Sequence, residues 1–230
     1  MRPAKVELEH LMIIKKKILK TKMKLASFNK TPDWNRQDLD KALAKLKNNK
    51  SRDFKGFSNE IFKENIIGND LKMSLLMLFN KLKKSNQIPK FFNYANITTV
   101  PKKGSRLILS NERGIFRVSV IRSILMNLIY DSHYPEVDKK ISECQMGGRR
   151  QKSSKNNIFI INGIIHDVMA SKKPPVVLQY YDYSQMFDSM NLDEAINDIY
   201  DTGLSNDTLG LVYKSNNEVS MAIKTPPWTY

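Results

Sequence analysis

Two aspartates that stand six residues apart are the clearest chemical feature of this 230-residue sequence. Asp182 follows the β-prone run 176–181, and Asp188 follows Phe187. Carboxylate oxygens are the ligands that Mg²⁺ prefers, and a pair of such ions stabilises the attacking and leaving oxygens in phosphoryl transfer. An aspartate fixed at the end of a strand is therefore a candidate metal ligand, whereas a turn or a helix cap is the ordinary role of a lone aspartate.

The charge balance indicates a polyanionic partner. Lys and Arg number 38 against 23 Asp and Glu, which gives a formal net charge of +15. An excess of this size repels itself unless it is screened by solvent or by a polyanion. Nucleic-acid phosphates attract such a chain whatever chemistry it performs. The charge therefore predicts the class of partner but not the reaction.

Cysteine and histidine usage excludes two common kinds of site. The single cysteine, Cys144, cannot form an internal disulfide, and the three isolated histidines have no zinc-binding spacing. A reducing intracellular compartment, cytoplasm or nucleus, is therefore expected. The apolar stretch 11–14 is too short for a signal peptide or a membrane span, so no membrane partner is expected.

The elements that must position these residues follow from the spacing of apolar side chains. The pattern predicts an α+β fold: a mainly helical region to about Pro174, then a strand, one or two helices, and a second strand. For the lysine-rich helix 13–25, a solvated face is the plain alternative, and contact with an acidic partner or a membrane surface is another. The predicted helices are 13–25, 39–46, 71–82, 118–129, 158–168 and 192–199, and the predicted strands are 97–100, 176–181 and 219–223.

Several short segments carry a family resemblance. Tyr181-Asp182-Tyr183-Ser184-Gln185-Met186-Phe187-Asp188 is similar to the first palm motif of reverse transcriptases, a strand followed by Asp-x-x-x-x-Phe-Asp. Upstream segments resemble, in order, "LKNNKSxDxxG" over 46–56, "NEhhK" over 59–63, "A.ITPIYKKG" over 95–104, "NYRGI" over 111–115 and "QxGFR" over 145–149. Segment 223–229 resembles "hKTPxGxT". In this order they resemble the reverse transcriptases of non-LTR (LINE-type, jockey-like) retrotransposons, and the resemblance extends over most of the chain from about residue 34 to residue 229.

Four positions depart from that family pattern. Phe92 stands where tryptophan is common, Glu112 where an aromatic residue is usual, Gly148 where the pattern has phenylalanine, and Met186 where the residue is usually small. Met186 precedes the aromatic residue of the palm motif. By the resemblance, a side chain of this size there would change the shape of the nucleotide pocket.

The resemblance implies a right-hand polymerase with a basic N-terminal extension over 1–30, fingers over 31–174 and a partial palm with an antiparallel sheet over 175–230. It implies that Asp182, the catalytic residue, and the backbone carbonyl of Tyr183 bind Mg²⁺. Phe187 would lie under the sugar and discriminate against a 2′-hydroxyl. The fingers cations that would bind the deoxynucleoside triphosphate are Lys102, Arg113 and Arg149.

Arginine suits that role because its planar fork pairs with phosphate oxygens. Taken singly, however, each of these cations is one of 38 basic residues, and a solvated surface position is the alternative.

The second carboxylate cluster of such a site is not in this sequence. The family supplies it as an aromatic-x-Asp-Asp turn, and the chain contains no adjacent pair of aspartates. We therefore expect a truncated RNA-directed DNA polymerase that binds an RNA template and a DNA primer but is inactive alone, with Mg²⁺ bound weakly or not at all. The alternative is a non-enzymatic RNA- or DNA-binding protein derived from such an element. The sequence leaves the oligomeric state open.

Overall fold

The computed structural model describes residues 3–26, 28–63, 68–101, 111–171, 174–183, 186, 190–202, 207–217 and 219–224, with side chains described from residue 11 onward. The chain divides into two compact units. The first consists of residues Met1–His133 and Leu192–Tyr230, and the second of Tyr134–Asn191. The predicted division into extension, fingers and palm stays a prediction.

The described ranges contain eight α-helices and three strands, so the predicted α+β class is confirmed. All six predicted helices form, within a residue or two of the expected positions or longer. The elements are α1 (Pro3–Ala26), α2 (Arg36–Ala44), α3 (Asn59–Lys63), α4 (Asn69–Ser85), a 3-10 turn (Lys90–Asn93), β1 (Tyr94–Pro101), β2 (Glu112–Val118), α5 (Val120–Asp138), α6 (Ser154–Ala170), α7 (Leu192–Asp201), α8 (Leu209–Asn217) and β3 (Ser220–Lys224).

Helix α2 shows how the sequence sets these elements. Asn35 accepts a hydrogen bond from the amide of Asp38 (3.1 Å), and the Asp38 carboxylate accepts one from the amide of Asn35 (3.0 Å). This reciprocal capping box satisfies amides that have no partner inside the helix. Leu39 and Leu43 then recur on one face and are buried, as their spacing predicts.

Two apolar clusters hold the first unit together. The larger one joins α2, α4 and α5, and its members Leu39, Phe79 and Ile124 are fully buried. The smaller one joins α1, α7 and α8 through Leu19, Ala26, Ile196 and Leu209. Apolar area removed from water stabilises both at roughly 25 cal/mol per Å².

The three strands form one mixed sheet in the order β2-β1-β3. β1 and β2 are antiparallel, with Ile97 opposite Phe116, and this ladder ends at the pair Pro101 and Glu112. β1 and β3 are parallel, with Ile97 opposite Ile223. The strands predicted over 97–100 and 219–223 are therefore confirmed.

The strand predicted over 176–181 is wrong. Residues 174–183 have no regular secondary structure, and Val177 and Tyr180 are each 80% exposed. β3 consequently pairs in parallel with β1, not antiparallel with 176–181. A strand is stable only when a neighbour pairs with its backbone groups, and β-branched or aromatic residues cannot supply that neighbour by themselves.

Candidate nucleic-acid interface

The β1–β2 hairpin presents one of the predicted cations. Arg113 lies opposite Val100, one pair from the end of the ladder, and is exposed. Phe116 on the same strand is 53% exposed. The segment that joins the two strands contains Lys102, which lies outside the described residues. An exposed arginine on a β-ribbon is suited to bind phosphate oxygens. Phe116 is three residues from Arg113 and therefore lies on the opposite face of the sheet, where its exposed ring can stack on a base separately.

Arg149 is held inside the second unit. Its Nε donates to Asp138 Oδ1 (2.9 Å), its Nη1 donates to the carbonyl of Ser142 (3.0 Å), and only 10% of its side chain is exposed. The hydrogen bond from Arg149, followed by that from Tyr134, lowers the pKa of the Asp138 carboxyl. The same pair raises the pKa of Arg149. Arg149 therefore has a structural role here, and its predicted role on a triphosphate stays a prediction.

The neighbouring residues complete this network. The Tyr134 hydroxyl donates to Asp138 Oδ1 (2.8 Å) and accepts a hydrogen bond from the Arg150 amide (2.8 Å). The Arg150 guanidinium carbon lies 4.2 Å from the centre of the Tyr134 ring. Gly148 has a φ of +74°, which a phenylalanine would adopt only with strain. This conformation favours glycine at position 148.

Asp182 is exposed in the irregular segment 174–183, so no strand directly precedes it. The nearby Tyr181 hydroxyl donates to Gln179 Oε1 (2.7 Å). Within the described ranges, no group of three or more carboxylate, imidazole or thiol side chains is arranged to hold a metal ion. Asp182 and the Tyr183 carbonyl are oxygen donors of the right type, but the described residues alone do not fit a magnesium site.

Sequence reasoning missed the role of Asp53 in the segment 46–56. Asp53 Oδ1 accepts hydrogen bonds from the amides of Lys55 (2.9 Å) and Phe57 (3.0 Å), and Oδ2 accepts one from Val120 (3.1 Å), the first residue of α5. The buried carboxylate therefore fixes this turn to the start of α5. The Asp-x-x-Gly spacing was the available signal, because it is typical of a turn.

The predicted site residues are not assembled within the described part of the chain. Arg113 belongs to the first unit, whereas Arg149 and Asp182 belong to the second. Phe187, like Lys102, lies outside the described residues. Among the described residues, no hydrogen bond or ion pair joins any two of Arg113, Arg149, Asp182 and Tyr183.

The sequence was compared with models of known protein families and with curated proteins, and neither comparison gave a match. As for membranes, no described helix is both long enough and apolar enough to cross a lipid bilayer.

Proposed function

We propose that this chain provides the fingers and the first part of the palm of an RNA-directed DNA polymerase of the non-LTR retrotransposon type. The observation that carries the proposal is the β1–β2 hairpin, which exposes Arg113 next to the end of its ladder. The segment joining the strands adds the cations Lys102, Lys103 and Arg106. The ordered sequence segments shared with that family and the net charge of +15 support the same function.

In this function the primer 3′-hydroxyl attacks an incoming deoxynucleoside triphosphate in line, and catalysis depends on positioning and on charge stabilisation. Arg113 binds phosphate oxygens in a planar fork, which orients the triphosphate. Mg²⁺ neutralises charge on the triphosphate when it is bound, and Asp182 and the Tyr183 carbonyl are the proposed ligands from this chain. Phe187 contacts the sugar, and Lys102 and Arg149 are the further proposed phosphate ligands.

Binding of a labelled RNA-template and DNA-primer duplex, measured by fluorescence anisotropy over a range of salt concentrations, tests this function. We expect affinity to fall steeply with salt. Arg113→Gln is expected to reduce the slope of log K against log salt by about 0.7 to 0.9, the value of one phosphate contact. Lys41→Gln removes the same charge from an exposed position on α2 and is expected to leave the slope nearly unchanged.

Two outcomes of that experiment contradict the proposal. Absence of wild-type binding at low salt would exclude a nucleic-acid partner. Equal effects of the two substitutions would show that the hairpin is not the contact.

Primer extension tests the activity itself. With Mg²⁺ and all four triphosphates, the 230-residue polypeptide is expected to leave the primer unextended, because it contains no adjacent pair of aspartates. Extension that is lost in Asp182→Ala would show a working polymerase instead.

A non-enzymatic RNA- or DNA-binding protein is the second candidate function. The exposure of Asp182, and the lack of a metal-holding cluster within the described ranges, favour it. Mg²⁺-dependent triphosphate binding that is lost on Asp182→Ala would favour the polymerase. Nucleic-acid binding without any triphosphate binding would favour the second candidate.

A further inference from the structure

Helix α1 has lysines on two different sides. Lys15 donates to Glu194 (3.2 Å) and Lys22 donates to Asp201 (2.7 Å), and both acceptors lie on α7. Leu19, on the same side, is buried in the cluster that joins α1 to α7 and α8. These contacts fix the rotation of α1 about its axis, so the direction of its other side chains is determined.

A second set of lysines on α1 points away from those ion pairs. Lys16, Lys20 and Lys24 are exposed and follow one another at intervals of four residues. That spacing places them on one face, about 6 Å apart along the helix axis, because the rise is about 1.5 Å per residue. A row of ammonium groups with this repeat is suited to successive phosphates of one nucleic-acid strand.

A cleft of about 300 Å³ opens beside the first two lysines of this row. Its walls come from three helices and include Lys16, Lys20, Met23, Asp193, Tyr213 and Asn217. The volume is at the lower end of the range of ligand pockets, roughly 300 to 1,000 Å³. The cleft therefore has room for a single nucleotide unit and not for a duplex.

We propose that this cleft binds one nucleotide of a single-stranded nucleic acid, with its phosphate on Lys16 and Lys20 and the next phosphate toward Lys24. The proposal rests on the proposed function and specifies where the strand is held. Tyr213 offers an aromatic surface for a base, a contact that tolerates any sequence. Asp193 and Asn217 supply acceptors and a donor for base or sugar hydroxyl groups.

The geometry of α1 favours this ligand over an anionic membrane. The exposed apolar residues of α1 do not form one face: Ile14, Ile18 and Leu25 lie about 140° around the helix from the Lys16–Lys24 row at 100° per residue, whereas Ile13 lies within that row. A helix that lies on a bilayer buries its apolar face and keeps the lysines beside it. Here the exposed apolar residues are spread around the helix, so one membrane surface cannot bury them together, and the cleft walls combine polar and apolar side chains.

The test compares Lys16→Gln/Lys20→Gln with the control Lys41→Gln/Lys155→Gln, which removes the same charge from exposed positions on α2 and α6. Binding of single-stranded RNA and DNA oligomers of about ten nucleotides is measured by anisotropy against salt. Each single-strand phosphate contact contributes about 0.7 to the slope of log K against log salt. We therefore expect the cleft variant to lose about 1.4, the control to lose little, and Lys16→Arg/Lys20→Arg to keep the wild-type slope.

The outcomes separate this inference from the proposed function. An equal slope change with RNA and DNA identifies the phosphodiester as the recognised group, and a change confined to RNA adds the ribose hydroxyl; both support the cleft. Two results would overturn the nucleotide site in the cleft but not the proposed function. One is wild-type binding together with an unchanged salt slope in the cleft variant. The other is an equal loss of slope in the cleft variant and the control variant. Absence of any wild-type binding would overturn the proposed function as well. If the cleft variant loses binding to phosphatidylserine vesicles but keeps the wild-type binding of nucleic acid, the ligand of these lysines is a membrane surface and not a nucleic-acid strand.

Discussion

At the scale of the residue, the Asp53 carboxylate joins two parts of the chain that are distant in sequence. It accepts the amides of Lys55 and Phe57 in its own turn and that of Val120 at the start of α5. The first amides of a helix have no partner inside the helix, and a negative charge there is favoured by the helix dipole. Asp53 therefore fixes both the turn and the start of α5.

Replacing Asp53 with alanine is expected to lower the free energy of unfolding by about 2 to 4 kcal/mol, because three amides lose a charged acceptor. Urea unfolding monitored by circular dichroism measures this change. Asp40→Ala is the matched control, since that carboxylate pairs with Arg36 and Lys72 at the surface and is 47% exposed. We expect at most about 1 kcal/mol for the control. Similar losses in the two variants would show that Asp53 does not organise this turn.

At the scale of the element, α6 and the segment 174–183 show two outcomes for exposed apolar sequence. In α6, Phe159 and Met169 are each 79% exposed, yet the helix forms and begins with a capping box at Ser153 and Asn156. A helix makes its hydrogen bonds within its own segment, whereas a strand needs a second segment. The apolar residues of 174–183 therefore remain exposed without forming a strand.

Two glycines in the second unit allow a matched test of this difference. An added Cβ at Gly163, inside α6, meets no atom within 4 Å. Gly163→Ala is therefore expected to stabilise α6 by about 0.5 to 1 kcal/mol. Gly148→Ala is expected to destabilise its loop by about 1 to 2 kcal/mol, because φ is +74° there.

Amide hydrogen exchange of residues 154–170 and 142–150 measures the two effects separately. Protection is expected to rise in α6 for Gly163→Ala and to fall in the loop for Gly148→Ala. Faster exchange of α6 in Gly163→Ala would show that this face of the helix has a contact that the alanine disturbs.

At the scale of the whole molecule, a chain with a net charge of +15 keeps one of its lysines in the interior. Lys83 donates to the carbonyl of Pro32 (2.7 Å), and its Nζ lies 4.7 Å from the centre of the Trp34 ring. Burial lowers the pKa of Lys83, while the charge of Asp207 opposes that shift. His133, which is hydrogen-bonded to Thr208, has its pKa lowered by burial and by the charge of Lys83, again opposed by Asp207.

His133 therefore makes stability depend on pH in a known direction. Its folded-state pKa lies below the ordinary value of 6.5, so the fold favours the neutral imidazole. As the pH falls below about 6.5, the unfolded chain binds a proton first, and the stability contributed by this group decreases until the folded-state pKa is passed. The contribution is fully present only above about pH 6.5.

Urea unfolding at about pH 5.5 and pH 7.5 measures this dependence. The loss of free energy of unfolding on acidification is expected to be smaller in His133→Gln than in the wild type. His166→Gln, a change at an exposed position on α6, is expected to keep the wild-type pH dependence. A His133→Gln variant with the wild-type pH dependence would exclude His133 as the titrating group.

The candidate site could be predicted from the sequence only as a set of residue types. The segments around Asp182, Arg113 and Arg149 indicate phosphate chemistry, but their surroundings depend on contacts between distant parts of the chain. The Asp138 carboxylate holds Arg149 across eleven residues, and the cleft beside Lys16 is completed by Tyr213 on another helix. A charge pattern contains no information about which cations are already paired.

The sequence by itself determined six of the described helices, the positions of β1 and β3 and the excess of positive charge, whereas α8 and the capping box of α2 were recognised only in the structure. The helices and strands that it determined depend on residues within a few positions of each other, which apolar spacing and capping residues specify directly. Only the tertiary structure decided that β3 pairs in parallel with β1, that 176–181 has no strand partner, and that Asp53 caps α5. Each of these is a contact between segments far apart in the chain, and its free energy depends on which partner the fold brings within reach.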